Sequence, residues 1–230
     1  MFKIIRFKRV SSTQDVAKRL FDREEEVAIF ALTQTRGRGR RQRAWFSPPG
    51  GLYLSVLLFP RIRFNTVPLI AALAVVKTLN GLGFKKAAIL WPNDILLGSK
   101  KVCGILCERY KDGIVCGIGL NVNIKNFPKN LTNATSLLLE SKKMYNLNKI
   151  LDELLHHIEI FYRQSQNGRL KIGEIYNYLT GIGEMVEVVH KDGIIRGTVF
   201  DIDDDWGLLL RDESGVIRKF YYGDIKRLKW

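Results

Sequence analysis

The chain has 230 residues, 46% hydrophobic and 26% charged, with 37 Lys and Arg against 23 Asp and Glu and a formal net charge of +14. That balance excludes a disordered or collagen-like chain, and its longest apolar run, residues 68–76, is about half of what a membrane span needs. The positive charge points to an anionic partner, whether nucleotide, nucleic acid or acidic protein, without choosing among them; a merely charged surface is the bland reading.

Residues 2–10 alternate in polarity and are expected to form a strand. Ser12-Thr13-Gln14-Asp15 has the spacing of a capping box, and Val16, Ala17, Leu20 and Phe21 then supply one apolar helical face. Residues 27–32 read as a buried strand leading into QTRGRGRRQRAWFSPPG, which places five arginines between positions 36 and 43. Residues 52–59 form a second strand pattern. Pro68 suits the first turn of a strongly apolar helix ending near Gly81 or Gly83.

Four short apolar runs follow, at 87–90, 95–97, 102–107 and 114–122, separated by WPND, GSKK and YKDG turns, the pattern of a β meander. An amphipathic helix is expected over 148–164, with Ile150, Leu151, Leu154, Leu155, Ile158 and Phe161 on one face, and a short helix over 170–179. The texture changes at Gly181-Ile182-Gly183. Five strand-like pieces then alternate with the polar turns HKDG, DIDDDWG, RDESG and YYGD, which suggests a small β barrel or half-barrel. A domain boundary is expected near 179–183, dividing the chain into 1–180 and 181–230. The fold class is α+β: a large mixed sheet with packed helices, then a small β domain.

Three stretches could carry chemistry. In the arginine tract, Gly37 and Gly39 would let the backbone approach a ligand and expose its N–H groups, while Arg38 and Arg40 offer planar forks for carboxylate or phosphate. Residue types alone leave an ordered anion loop and a solvated basic patch both open. Asn93 and Asp94 project polar groups at a strand boundary, where one carboxylate suits a magnesium ion that keeps most of its waters, or simply an Asx turn. Lys101, with Gly104 three residues on, is either a pocket cation or an edge lysine. In GIGLNVN, two spaced glycines suggest close approach of a ligand, and Asn121 and Asn123 could read a nucleobase edge or merely close a turn.

The remaining features carry less. Cys103, Cys107 and Cys116 lack a CxxC pair and read as reduced thiols of a cytoplasmic protein. His156 and His157 are adjacent on a helix and cannot share a face. No GxSxG, Walker loop or dinucleotide fingerprint is present.

Taken in order, Ser12-Thr13-Gln14, then Gln34 with Gly37-Arg38-Gly39-Arg40-Arg41 and Trp45-Phe46-Ser47-Pro48, then Trp91-Pro92-Asn93-Asp94, Lys101 with Gly104-Ile105-Leu106, and Gly119-Leu120-Asn121-Val122-Asn123 resemble the biotin–protein ligases. The likeness covers residues 5–140 by motif and the remainder by layout. It implies an α/β catalytic domain joined to an SH3-like C-terminal domain. It also implies two steps: ATP activates biotin to biotinyl-5′-AMP, and a lysine of a biotin carboxyl carrier protein, that of acetyl-CoA carboxylase, takes the acyl group.

By the same resemblance, Ser12, Thr13, Gln14, Gln34, Arg38, Gly39, Arg40, Lys101 and Gly104 would line the biotin and adenylate pocket, with Lys101, Arg38 and Arg40 as the catalytic cations. Trp45, Asn93 and Asn121 would sit near the nucleotide, Arg41 and Arg43 near phosphates, and Asp94 near magnesium. Homodimerisation is expected from the family. DNA binding is not, because pocket motifs begin within the first fifteen residues.

The chain departs from the family pattern at Gln42, where glycine is usual, at Leu90, where a basic residue often precedes WPND, and at Gln14, where asparagine is commoner. A lipoate–protein ligase is the nearest rival enzyme, and a basic nucleic-acid-binding module the rival from another class.

Overall fold

In the computed structural model, which describes residues 2–21, 25–190, 193–221 and 224–227, the strand-forming runs assemble into two sheets. The first contains β1 (Lys3–Phe7), β2 (Val27–Ala31), β3 (Gly51–Leu58), β4 (Ala87–Leu90), β5 (Asp94–Leu97), β6 (Lys100–Tyr110) and β7 (Gly113–Asn121), in the order β1-β2-β3-β7-β6-β5-β4. The neighbours β1 and β2 run parallel, joined through helix α1 (Thr13–Arg19), and every other pair is antiparallel. The expected meander is the run β4 to β7, and the sheet is mixed, as expected.

Alternation along these strands assigns the two faces. On β7, Ile114, Cys116, Ile118 and Leu120 join the main core under α2 (Thr66–Gly81) and α4 (Leu147–Gln166). Helix α2 starts two residues before Pro68, and its Leu69, Leu73, Val76 and Leu79 are fully buried. Burial of each leucine contributes about 1.5–3 kcal/mol. The opposite parity, Val115, Gly117, Gly119 and Asn121, points to the other face. There Val115 packs with Val16 and Ala17 of α1, and with Ile29 and Leu57. Beyond α1 that face carries glycines instead of large side chains.

Two helices differ from expectation. A one-turn helix, α3 (Leu137–Ser141), follows Asn123; Ser136 caps it by accepting from Leu139 N–H at 3.2 Å. Its five residues are too few for periodicity to reveal. Helix α5 (Ile172–Tyr176) is shorter than 170–179, because the backbone of 178–180 turns to cover the β4 edge: Ile89 N–H donates to Tyr178 and Thr180 N–H donates to Ile89.

The second sheet contains β8 (Met185–His190), β9 (Gly193–Ile202), β10 (Leu208–Asp212), β11 (Ile217–Phe220) and β12 (Asp224–Arg227), all antiparallel in the order β11-β10-β9-β8-β12. These are the five expected pieces. Asp203 accepts from the N–H groups of Asp205 and Gly207, and Asp212 from those of Ser214 and Val216, which explains the DIDDDWG and RDESG turns. The expected HKDG and YYGD turns include residues 191–192 and 222–223, which lie outside the described residues. Val186, Val188, Val199, Leu208 and Leu210 bury into the same core as the first sheet.

Candidate active site

The glycine-lined face opens into a cavity of about 430 Å³. Its floor is a cross-strand pair, Gly104 of β6 opposite Gly119 of β7, and the Trp45 indole lies directly on it. A methyl group on Gly119 would fall 2.3 Å from Trp45 Nε1, and one on Gly104 2.8 Å from the same ring. Gly117 similarly leaves room for the Gln14 amide, whose Nε2 donates to the Leu106 carbonyl at 2.7 Å. The spaced glycines of GIGLN therefore make room for flat groups, one of the two readings that residue types allowed.

One wall is a directed chain of hydrogen bonds. Ser55 Oγ donates to Thr13 Oγ1 at 2.8 Å, and both the hydroxyl and the N–H of Thr13 donate to Gln34 Oε1. Gln34 Nε2 donates to Ser47 Oγ, which donates to the Trp45 carbonyl at 2.9 Å. The chain ties β3, α1 and the arginine tract together around buried polar atoms that would otherwise cost about 1–3 kcal/mol each. Ser12 is buried at the N-cap position with extended backbone, yet its side chain makes no capping bond. The expected capping box is thus not formed: Ser12 lines the cavity and Asp15 turns to Arg38.

The arginine tract is an ordered hairpin. Gly37 O accepts from Trp45 N–H, Gly39 N–H donates to Arg43 O at 2.7 Å, and Arg38 bridges to Ala44. Gly37 is needed for packing, because a Cβ there would meet Ser47 Oγ at 2.5 Å. The Gly39 N–H is spent inside the hairpin, so it is not the exposed donor expected. At the tip, Arg41 and Gln42 have φ of 53° and 60°, left-handed conformations that cost a side-chain-bearing residue about 1–2 kcal/mol. The unusual glutamine therefore falls where glycine is the relaxed choice.

The arginines separate by role. Arg38 forms a bidentate pair with Asp15, at 2.7 and 2.9 Å. Its hydrogen bonds hold the Asp15 carboxyl below the usual carboxylate range, against the opposing effect of burial. Arg40 Nη1 donates to Asn93 Oδ1 at 2.8 Å, closing the cavity between the hairpin and the WPND turn. Arg43 lines the cavity. Arg41, expected near phosphates, does not; its guanidinium donates to the Val189 carbonyl on β8 at 2.9 Å.

Across the cavity, Lys101 Nζ lies 2.7 Å from Asp94 and 5.3 Å from the centre of the Trp45 ring. The backbone of 133–135 holds Lys101 on both sides: Lys101 N–H donates to Asn133 and Thr135 N–H to Lys101. Asn93 fixes the turn, with Nδ2 donating to the Ile105 carbonyl at 2.9 Å. Among the described lining residues Asp94 is the one carboxylate, a donor set that fits a magnesium ion retaining most of its waters.

Four buried polar atoms on the lining lack hydrogen-bond partners among the described residues: Gln14 Oε1, Trp45 Nε1, Trp91 Nε1 and Asn121 Oδ1. The Asn121 amide nitrogen is already given to the Thr135 carbonyl. The lining thus holds two acceptors and two donors without a protein partner among the described residues. Sequence reasoning missed Ser55, Asp15 as a pairing partner and the 127–134 segment. A serine amid the apolar residues of β3 was a readable signal; the 127–134 segment carried none. The buried cysteines fill space, and burial pushes the Cys103 thiol well up.

Residues 6–124 match the family model described as biotin/lipoate A/B protein ligase family, and residues 181–227 that of the biotin protein ligase C terminal domain. The bifunctional ligase/repressor BirA of Bacillus subtilis (strain 168) is 34% identical over 94% of this chain and 71% of its own length. The biotin--[acetyl-CoA-carboxylase] ligase of Mycobacterium tuberculosis is 31% identical over 88% and 79%. Among solved structures, the biotin protein ligase from Aquifex aeolicus in complex with biotin and ATP superposes with a TM-score of 0.91 at 30% identity, covering 99% of this chain and 100% of the other.

Proposed function

This chain belongs to the biotin/lipoate A/B protein ligase family, and we propose that its cavity assembles biotin and ATP for adenylation and then presents the adenylate to a carrier lysine. The protein is an ATP-dependent biotin–protein ligase. A biotin carboxylate oxygen attacks the α-phosphorus of ATP, the bond to the β-phosphate breaks, and pyrophosphate leaves. The lysine ε-amine next attacks the acyl carbon, forming the amide and releasing AMP. The acceptor is the biotin carboxyl carrier protein of acetyl-CoA carboxylase.

The convergence of the 37–43 hairpin with Lys101 and Asp94 on a single cavity carries this reading. Bringing a carboxylate to a triphosphate requires fixed positive charge, and Lys101, Arg40 and Arg43 border the space where it is needed. Lys101 now holds Asp94, so it exchanges one carboxylate for another when biotin binds. A magnesium ion brought with the nucleotide would take Asp94 and neutralise phosphate charge. The uncharged ureido ring suits Ser12, Thr13, Gln14 and Gln34, above the glycine floor. The adenine suits Trp45 and the unpaired Asn121 Oδ1. No protein nucleophile is required.

Residues 1–180 would form the catalytic domain and 181–230 the C-terminal domain. Homodimerisation and a cytoplasmic setting accord with the family; no described helix is long and apolar enough to cross a membrane. Lipoate is disfavoured, since the C-terminal match is to biotin protein ligases. Incubation with ATP, magnesium and biotin, followed by native mass spectrometry, is expected to show bound biotinyl-AMP. Preferential binding of lipoate in a calorimetric comparison would overturn the assignment, as would salt-steep nucleic-acid binding without biotin affinity.

A further inference from the structure

Arg38 was expected to meet the substrate. It lies on the cavity lining, and there its guanidinium spends two charge-assisted bonds on Asp15, in the first turn of α1, and lies 4.0 Å from Glu108 of β6. Glu108 is itself held at 3.1 Å by Lys18, one turn further along α1. Two charges on one helix face therefore grip, respectively, the arginine hairpin and the sheet beneath it.

The hairpin needs such a grip. Its tip contains two adjacent left-handed residues, Arg41 and Gln42, each costing about 1–2 kcal/mol, so its few backbone bonds alone are poor support. Arg38 stands one rung below the tip, at the bridge to Ala44. From that rung the chain carries Arg40 to Asn93 and Trp45 onto the glycine floor. Where Arg38 is held, the positions of both follow.

We propose that Asp15 is a positioning residue for the ligase reaction: it clasps Arg38, and the clasp sets the hairpin over the bound adenylate. Arg38 then acts through Asp15 and not through the substrate. This rests on the adenylation reading above and adds a residue that the reaction chemistry itself does not call for.

A double-mutant cycle tests it. Asp15→Asn, Arg38→Gln and the double variant are compared by the release rate of preformed biotinyl-AMP in a chase, and by trypsin cleavage within residues 36–43. Each single variant is expected to speed release about fivefold, the scale of a partly exposed bidentate pair. The double variant should match either single one, Asp15→Glu should restore slow release, and tryptic cleavage should rise in parallel. Additive effects, or a loss in Arg38→Gln that Asp15→Asn does not share, would show that Arg38 touches substrate and would overturn the clasp. Should Asp15→Asn fail to fold, Asp15→Glu against Arg38→Lys decides by the same coupling. Absence of any adenylate in the unmodified protein would instead sink the ligase reading itself.

Discussion

Lys101 and Asp94 face each other at 2.7 Å across the β5–β6 hairpin, on the wall opposite the arginine loop. The pair keeps a cation in the cavity while satisfying it internally. Replacing Lys101 with alanine is expected to slow biotinyl-AMP formation by about a hundredfold, near 3 kcal/mol, as for removal of one oxyanion donor. Pyrophosphate release in a single turnover measures this. Asp94→Asn should instead raise the magnesium concentration for half-maximal rate, and an unchanged requirement would remove Asp94 from the metal.

Arg40 closes the cavity through Asn93. Arg40→Gly should leave adenylation measurable but let biotinyl-AMP escape about tenfold faster, the weight of one charge-assisted hydrogen bond. Retention equal to the unmodified protein in a filter assay would refute the closing role.

The Gly104–Gly119 floor admits no side chain under Trp45. Gly119→Ala should displace the indole and weaken biotin binding about tenfold, the usual scale of overpacking by one methyl. Calorimetry reads the affinity, and an unaltered value would mean that the floor is not a binding surface.

Ser136 is fully buried, donates to the Ile124 carbonyl at 2.6 Å and caps α3. Ser136→Ala is expected to destabilise the fold by about 1–2 kcal/mol, seen in denaturant unfolding, because both bonds are lost.

His157 Nδ1 lies 3.0 Å from Thr78 Oγ1, which is also within 2.9 Å of the Ala74 carbonyl. Burial pulls its pKa below the ordinary 6.5, with Glu153 opposing and His156 and Lys77 adding. Below pH 6.5 the unfolded chain gains a proton that the folded one does not, so stability should fall as pH drops through that range. His157→Gln should flatten this part of the stability profile, and a profile identical to that of the parent would exclude the effect.

Alternation and turn chemistry were enough to place the seven strands of the first sheet, both long helices and the five C-terminal strands, because period and punctuation are local properties. The order of motifs was likewise enough to indicate the family and, apart from Arg41, which residues share the cavity. What pairs with what was decided only in three dimensions. Asp15 and Arg38 are 23 residues apart and Arg41 and Val189 148 apart, and a charge chooses its partner by distance in space. The same holds for the glycine floor: two glycines on different strands become one surface only through the β6–β7 register. The sequence by itself therefore determined which groups this protein brings to the reaction, while the tertiary structure decided which of them are committed to each other and which remain open to a substrate.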